Sequence, residues 1–191
     1  MDSDSRIRTS SPLPFALETE LERRITADPH WQLGAWWGSP RHGHPEGQVV
    51  YHINDVLQNV DRYFPHSPDR WRLRLIALLH DTFKFQARVV PEPRPSHGYL
   101  ARQFGKNYVT DTAVLEVVEL HDKAYKAHQL IVHHVDQAEA EKRAHELIAR
   151  LGEHTELFMN FYYCDNQTGD KSAVHYEWFK QMLSQSHLDS C

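Results

Sequence analysis

The stretch that decides the fold is LIALLHDTFKF, residues 75–85. Five apolar residues, Leu75 to Leu79, run straight into His80-Asp81, and Lys84 follows three positions later. A run of that kind belongs to a buried helix. An imidazole and a carboxylate at its end are expensive to bury unless something pairs with them. The rest of the chain must supply that partner.

Working outward, QVVYHINDVLQNVDRYF (48–64) is an amphipathic helix with Val49, Ile53, Val56, Leu57, Val60 and Phe64 as its apolar positions. SPDRW caps and opens the helix that runs through Leu79. FALETELERRITA (15–27) reads as a helix stopped by Pro29. Ser96 caps HGYLARQFGKNY, and Asp111 caps DTAVLEVVELHDKAYKAHQ. AEAEKRAHELIARL (138–151) is helical and closed by Gly152. HTELFMNFYYCD (154–165), ended by NQTG, and SAVHYEWFKQML (172–183) complete the set. Residues 29–47, rich in Pro, Gly, Trp and His, read as loop, and so do residues 85–96 with VVPEPRPS. Residues 1–12 read as a disordered tail. No strand alternation and no internal repeat stands out. The expected class is all-α, a bundle of about seven to eight helices in one domain over 13–191.

Composition narrows the function. The 191 residues suffice for one domain with a sizeable core, and 40% hydrophobic with 25% charged residues is ordinary for a globular protein. A formal net charge of −5 argues against a nonspecific nucleic-acid binder, while a small phosphorylated ligand needs only a local basic pocket. Cys164 and Cys191 are too few for a disulfide framework or a Cys-based zinc site. The opening MDSDSRIRTSS lacks the apolar segment of a signal peptide, and no run is long enough to span a membrane, so a cytoplasmic location is expected.

Residues three, four and seven apart share a helix face. By that rule His52 lies with Val49, Ile53 and Val56; His80 with Leu73 and Ile76; His97 with Leu100, Ala101 and Phe104. His121 lies with Val114, Val117 and Val118, and Asp165 with Phe158, Phe161 and Tyr162. A single inward histidine is usually a hydrogen-bonded core residue. His121 also suits a helix C-terminus, and Asp165 a helix-end turn. Five such placements have one shared explanation in a divalent metal, which offsets burial by coordinating imidazole nitrogen and carboxylate oxygen. The partner of His80-Asp81 is then a metal ion held with His52 and Asp165.

With those residues in place, the sequence resembles the HD-domain superfamily of metal-dependent phosphohydrolases, whose pattern is H…HD…D. His52, His80-Asp81 and Asp165 occur in that order with helix-sized gaps. HPEGQVVYHINDV (44–56) looks like the HD-domain opening of bacterial tRNA nucleotidyltransferases, and LIALLHDTFK resembles the family's HDIGK signature, with Lys84 at its lysine. Thr82-Phe83 departs from the usual Ile-Gly. The resemblance covers about residues 44–170 and implies an HD-domain helical bundle with N- and C-terminal helical extensions. His97 and His121 match the two extra histidines of binuclear members, so one or two ions per chain are expected, from Mn, Fe, Co, Ni or Mg.

The resemblance implies hydrolysis of a small phosphate ester or nucleotide by metal-activated water. Asp81 would be the ligand nearest the nucleophilic water, and Lys84 would neutralise phosphate charge. Thr168 and Lys171, just past Asp165, lie in a turn that could reach a phosphate; capping and a polar loop are the plainer reading. The alternative activity is a di-iron oxygenase of the myo-inositol oxygenase type, which shares H…HD…H…H…D. A third reading is a sensor or structural metal domain, against which the full ligand set argues. The tRNA-enzyme likeness is confined to the HD segment, so no nucleic-acid role is expected. A homodimer is common in such proteins, but no heptad specifies one here.

Overall fold

The computed structural model describes residues 12–40, 45–90 and 93–188. The predicted tail lies outside the described residues except for Pro12. Among the described residues there are eleven α-helices and no strand. One isolated antiparallel bridge joins Gly38 to Gln48. The class is all-α, as the sequence predicts. No described helix is long and apolar enough to cross a membrane.

The helices are α1 (Glu20–Ala27), α2 (Pro29–Ala35), α3 (Val49–Tyr63), α4 (Arg70–Leu79), α5 (Lys84–Val89) and α6 (His97–Gly105). They continue with α7 (Thr112–Leu120), α8 (Lys123–Val132), α9 (Gln137–Leu151), α10 (Thr155–Asn166) and α11 (Val174–Leu188). Each of the eight helices read from the sequence is present. The count rises because the helix expected from Asp111 breaks at His121 into α7 and α8, and because α2 and α5 form inside segments read as loop.

The reasons are local. Thr19 and Glu22 form a reciprocal capping box, so α1 begins at Glu20 rather than at Phe15. Pro29 does end α1, but it also starts α2. It sits in the first turn, where its missing N–H is no loss, and the Asp28 carboxylate accepts from His30 N at 2.7 Å. Ser96 and Asp111 accept from Tyr99 N and Val114 N, as their sequence positions predict. Gly152 closes α9 at φ 48°, a left-handed conformation that glycine adopts without a Cβ clash.

The core lies where α4 packs on α3, α7 and α10. Ile53, Val56, Leu73, Ile76, Val114, Val118, Phe158 and Phe161 fill it. Arg74 of α4 lies in the interior. It is buried and pairs with buried Glu22 of α1 at 2.7 Å, while its other nitrogen donates to Ala16 O. An arginine at this depth is tolerable because both its charge and its donors are met.

Two close approaches place the site. At Gly34 of α2 an added Cβ would stand 1.6 Å from Thr82 O, so α2 rests directly on the turn after His80-Asp81. At Gly98 of α6 it would stand 2.5 Å from Glu119 O, so the start of α6 lies against the end of α7. The second contact carries His97 to His121.

Candidate metal centre

Five helices deliver the six ligand candidates to one place. His52 comes from the middle of α3, and Asp165 from the last turn of α10. His80 and His121 are the C-caps of α4 and α7. Asp81 follows His80 in the turn, and His97 opens α6. All six side chains are buried or nearly so.

The geometry divides the site in two around Asp81. Its Oδ2 lies 3.5 Å from His80 Nε2 and 3.6 Å from His52 Nε2. Its Oδ1 lies 3.4 Å from both His97 Nε2 and His121 Nε2. Within the first half, His52 Nε2 and His80 Nε2 are 3.2 Å apart, and Asp165 Oδ1 is 3.0 Å from His52 Nε2. Within the second half, His97 Nε2 and His121 Nε2 are 3.1 Å apart. Two triads therefore converge tightly enough to hold an ion: His52, His80 and Asp81, and Asp81, His97 and His121.

The donor set fits a divalent cation for a chemical reason. His80 Nδ1 lies 2.9 Å from Ala77 O, and His121 Nδ1 lies 2.8 Å from Val118 O. A backbone carbonyl accepts only from a protonated nitrogen, which leaves Nε2 as a lone pair. Glu46 Oε1 lies 3.4 Å from His52 Nδ1, on the side of the ring away from the centre. His80 Nε2 thus turns a lone pair toward His52 Nε2, 3.2 Å away in a buried space. A cation there would accept that lone pair, and the two carbonyls are the kind of outer partner that orients ligating histidines.

The electrostatics agree. Burial depresses the His80 imidazole to about 3, keeping it neutral. Burial pushes the Asp81 carboxyl up, but Lys84 and the neighbouring imidazoles outweigh it and hold the group well below the usual carboxylate range. Burial likewise pushes Asp165 up and is outweighed by Lys171, His52 and His80. His97 is lowered by burial, whereas at His121 the pull of Asp81 and Asp122 outweighs burial and raises it. A neutral His80 beside ionised Asp81 and Asp165 is in the protonation state a metal requires.

The other predicted site residues fall into two groups. Lys84 Nζ reaches Asp81 Oδ2 at 2.5 Å, and Lys171 Nζ reaches Asp165 Oδ1 at 2.7 Å, so each lysine lies at the edge of the centre. Thr168 is buried, and its hydroxyl donates to Asp165 O at 2.8 Å, which fixes the end of α10 and leaves the oxygen pointing at backbone. Behind the His80-Asp81 turn, Trp31 is fully buried and donates to Leu78 O at 2.7 Å.

Two residues near the imidazoles were not in the sequence-predicted set. Glu46 is held against His52 by the turn before α3. Asp122 Oδ2 lies 3.6 Å from His97 Nε2. The signal for Asp122 was present as a second Leu-His-Asp, at 120–122.

Comparison with protein-family models, curated proteins and solved structures finds no match in any of the three. The buried His/Asp cluster on an all-helical frame is compatible with an HD domain and with a metal-dependent enzyme.

Proposed function

We propose that the chain is a metal-dependent phosphohydrolase with a two-ion centre, acting on a small phosphate ester or nucleotide. The observation that carries this reading is Asp81, whose two carboxylate oxygens face two separate histidine pairs. His52, His80 and Asp165 would complete one ion's shell, and His97 and His121 the other's. Bound divalent ions supply a polarised water and a Lewis acid for a phosphoryl oxygen. Lys84 and Lys171 bring two positive charges to the edge of the centre, where they oppose the charge of a phosphate group. Asp81, between the two pairs, fixes the spacing of the halves.

The same six residues suit two irons, so a di-iron oxygenase of the myo-inositol oxygenase type is the second reading, supported by the order H…HD…H…H…D. The test begins with metal content of protein purified without a His-tag or chelating resin. Phosphate release from a panel of nucleotides and phosphate esters, under anaerobic conditions with Mn²⁺, Co²⁺, Ni²⁺ or Mg²⁺, is the expected result. Oxygen uptake by iron-loaded protein, with no phosphate released, would replace the hydrolase with the oxygenase.

A further inference from the structure

The turn after α7 repeats the chemistry of the turn after α4. ALLHDTFK (77–84) and VELHDKAYK (118–126) each end an apolar helix on His-Asp and place a lysine one turn later. In both, the histidine is the C-cap and its Nδ1 meets the carbonyl three residues back, at 2.9 and 2.8 Å. In both, that lysine reaches the aspartate at 2.5 Å.

Asp122 is the N-cap residue of α8, where an aspartate ordinarily accepts a first-turn N–H. Its side chain caps nothing. It turns inward, with Oδ2 3.6 Å from His97 Nε2. That nitrogen is the one that faces His121 Nε2 at 3.1 Å and Asp81 Oδ1 at 3.4 Å. A carboxylate that only orients an imidazole stands at the other ring nitrogen, the side on which Glu46 approaches His52 Nδ1 at 3.4 Å. Asp122 stands instead where a ligand stands. Lys126 on Asp122 Oδ2 does not argue otherwise. Asp81 Oδ2 and Asp165 Oδ1, which also face imidazole Nε2 atoms, carry Lys84 and Lys171 on the same oxygens.

We infer that Asp122 is a terminal ligand of the second ion, alongside Asp81, His97 and His121. The inference rests on the two-ion reading. Each ion then receives two imidazoles, a share of Asp81 and one terminal carboxylate, Asp165 or Asp122. Imidazole and carboxylate in equal measure suit Mn²⁺ or Fe²⁺.

The test uses Mn²⁺ alone, with equilibrium dialysis of the metal-stripped full chain and elemental mass spectrometry. Wild type is expected to bind two ions, and Asp122→Asn to keep the first and weaken the second by more than about tenfold. The spin-coupled signal of a manganese pair should vanish with the second ion. Two ions in Asp122→Asn with affinities inside that tenfold would overturn the inference and leave the two-ion centre standing. A wild type that binds only one ion would overturn both. Should Asp122→Asn fail to fold, Lys126→Met decides. With Asp122 a ligand, removing the competing ammonium leaves two ions bound and the second held more tightly. Loss of the second ion in Lys126→Met would reduce the Asp122–Lys126 pair to a structural brace and overturn the inference.

Discussion

Behind His80-Asp81 lies α2, with Trp31 bonded to Leu78 O and Gly34 pressed on Thr82 O. Beside His121-Asp122 lies the opening of α6, with Gly98 against Glu119 O. On the outer side of that turn is a cleft of about 340 Å³ whose lining includes Lys123, Lys126, Arg143 and Arg150. The two turns carry the same residues in the same order, but the first is clamped by a segment 47 residues away in sequence, and the second borders an open basic cleft. Local chemistry makes a His-Asp turn able to take a metal; what packs behind it sets how rigidly it is held.

The sharpest break of this comparison is Asp81→Ala. Because Asp81 faces both histidine pairs, its loss should cost both ions, taking metal content from two per chain to below one, whereas Asp122→Asn should cost only the second. Elemental analysis reads the count, and circular dichroism should show the helices intact. Retention of both ions in Asp81→Ala would end the two-ion reading.

Next in size is the backing of the turns. In Gly34→Ala the new Cβ meets backbone at 1.6 Å, which no side-chain rotation relieves. A loss of about 3 kcal/mol or more is expected in urea unfolding of the metal-free protein. Gly98→Ala meets Glu119 O at the longer 2.5 Å and should lose less. Equal losses would mean that the first turn is not the more tightly held.

The last effect is in acid. His80 is depressed to about 3 by burial, so between about pH 6.5 and 3 the unfolded chain binds a proton that the folded chain refuses. Its contribution to stability is full above pH 6.5 and falls as pH drops. His121 is raised, so its contribution is present at low pH and is lost as pH rises through its folded value. Each titrating proton changes stability by up to about 1.4 kcal/mol per pH unit. His80→Gln should therefore flatten the acid limb of a stability–pH curve for the metal-free protein, whereas His121→Gln should leave that limb unchanged and flatten the decline above pH 6.5. Matching slopes in the two variants would contradict the opposite settings of the two turns.

The frame was legible because its signals are local. The inward faces of α3, α4 and α10, the caps Ser96 and Asp111, and the stop at Gly152 all follow from residues within a few positions of each other. So did the six ligand candidates, because a titratable side chain on an apolar stripe needs an explanation. Helix α2 was not legible, since its value lies in Trp31 and Gly34 meeting a turn far along the chain. Only the break at His121 shows that DTAVLEVVELHDKAYKAHQ is two helices with a candidate site between them. Asp122 was hidden by that same unbroken reading, which turned a second His-Asp into helix interior.

The indole of Trp31 gives the molecule a built-in optical gauge. Its ring is fully buried and its N–H is bonded two residues before His80, so its emission belongs at the blue edge of the spectrum of the five tryptophans. An open-shell ion held by His80 would quench that light over a short distance, while an ion on the far side of Asp81 would quench it less. The colour and intensity of one buried ring thus distinguish which half of the centre has filled, without a label and without a substrate.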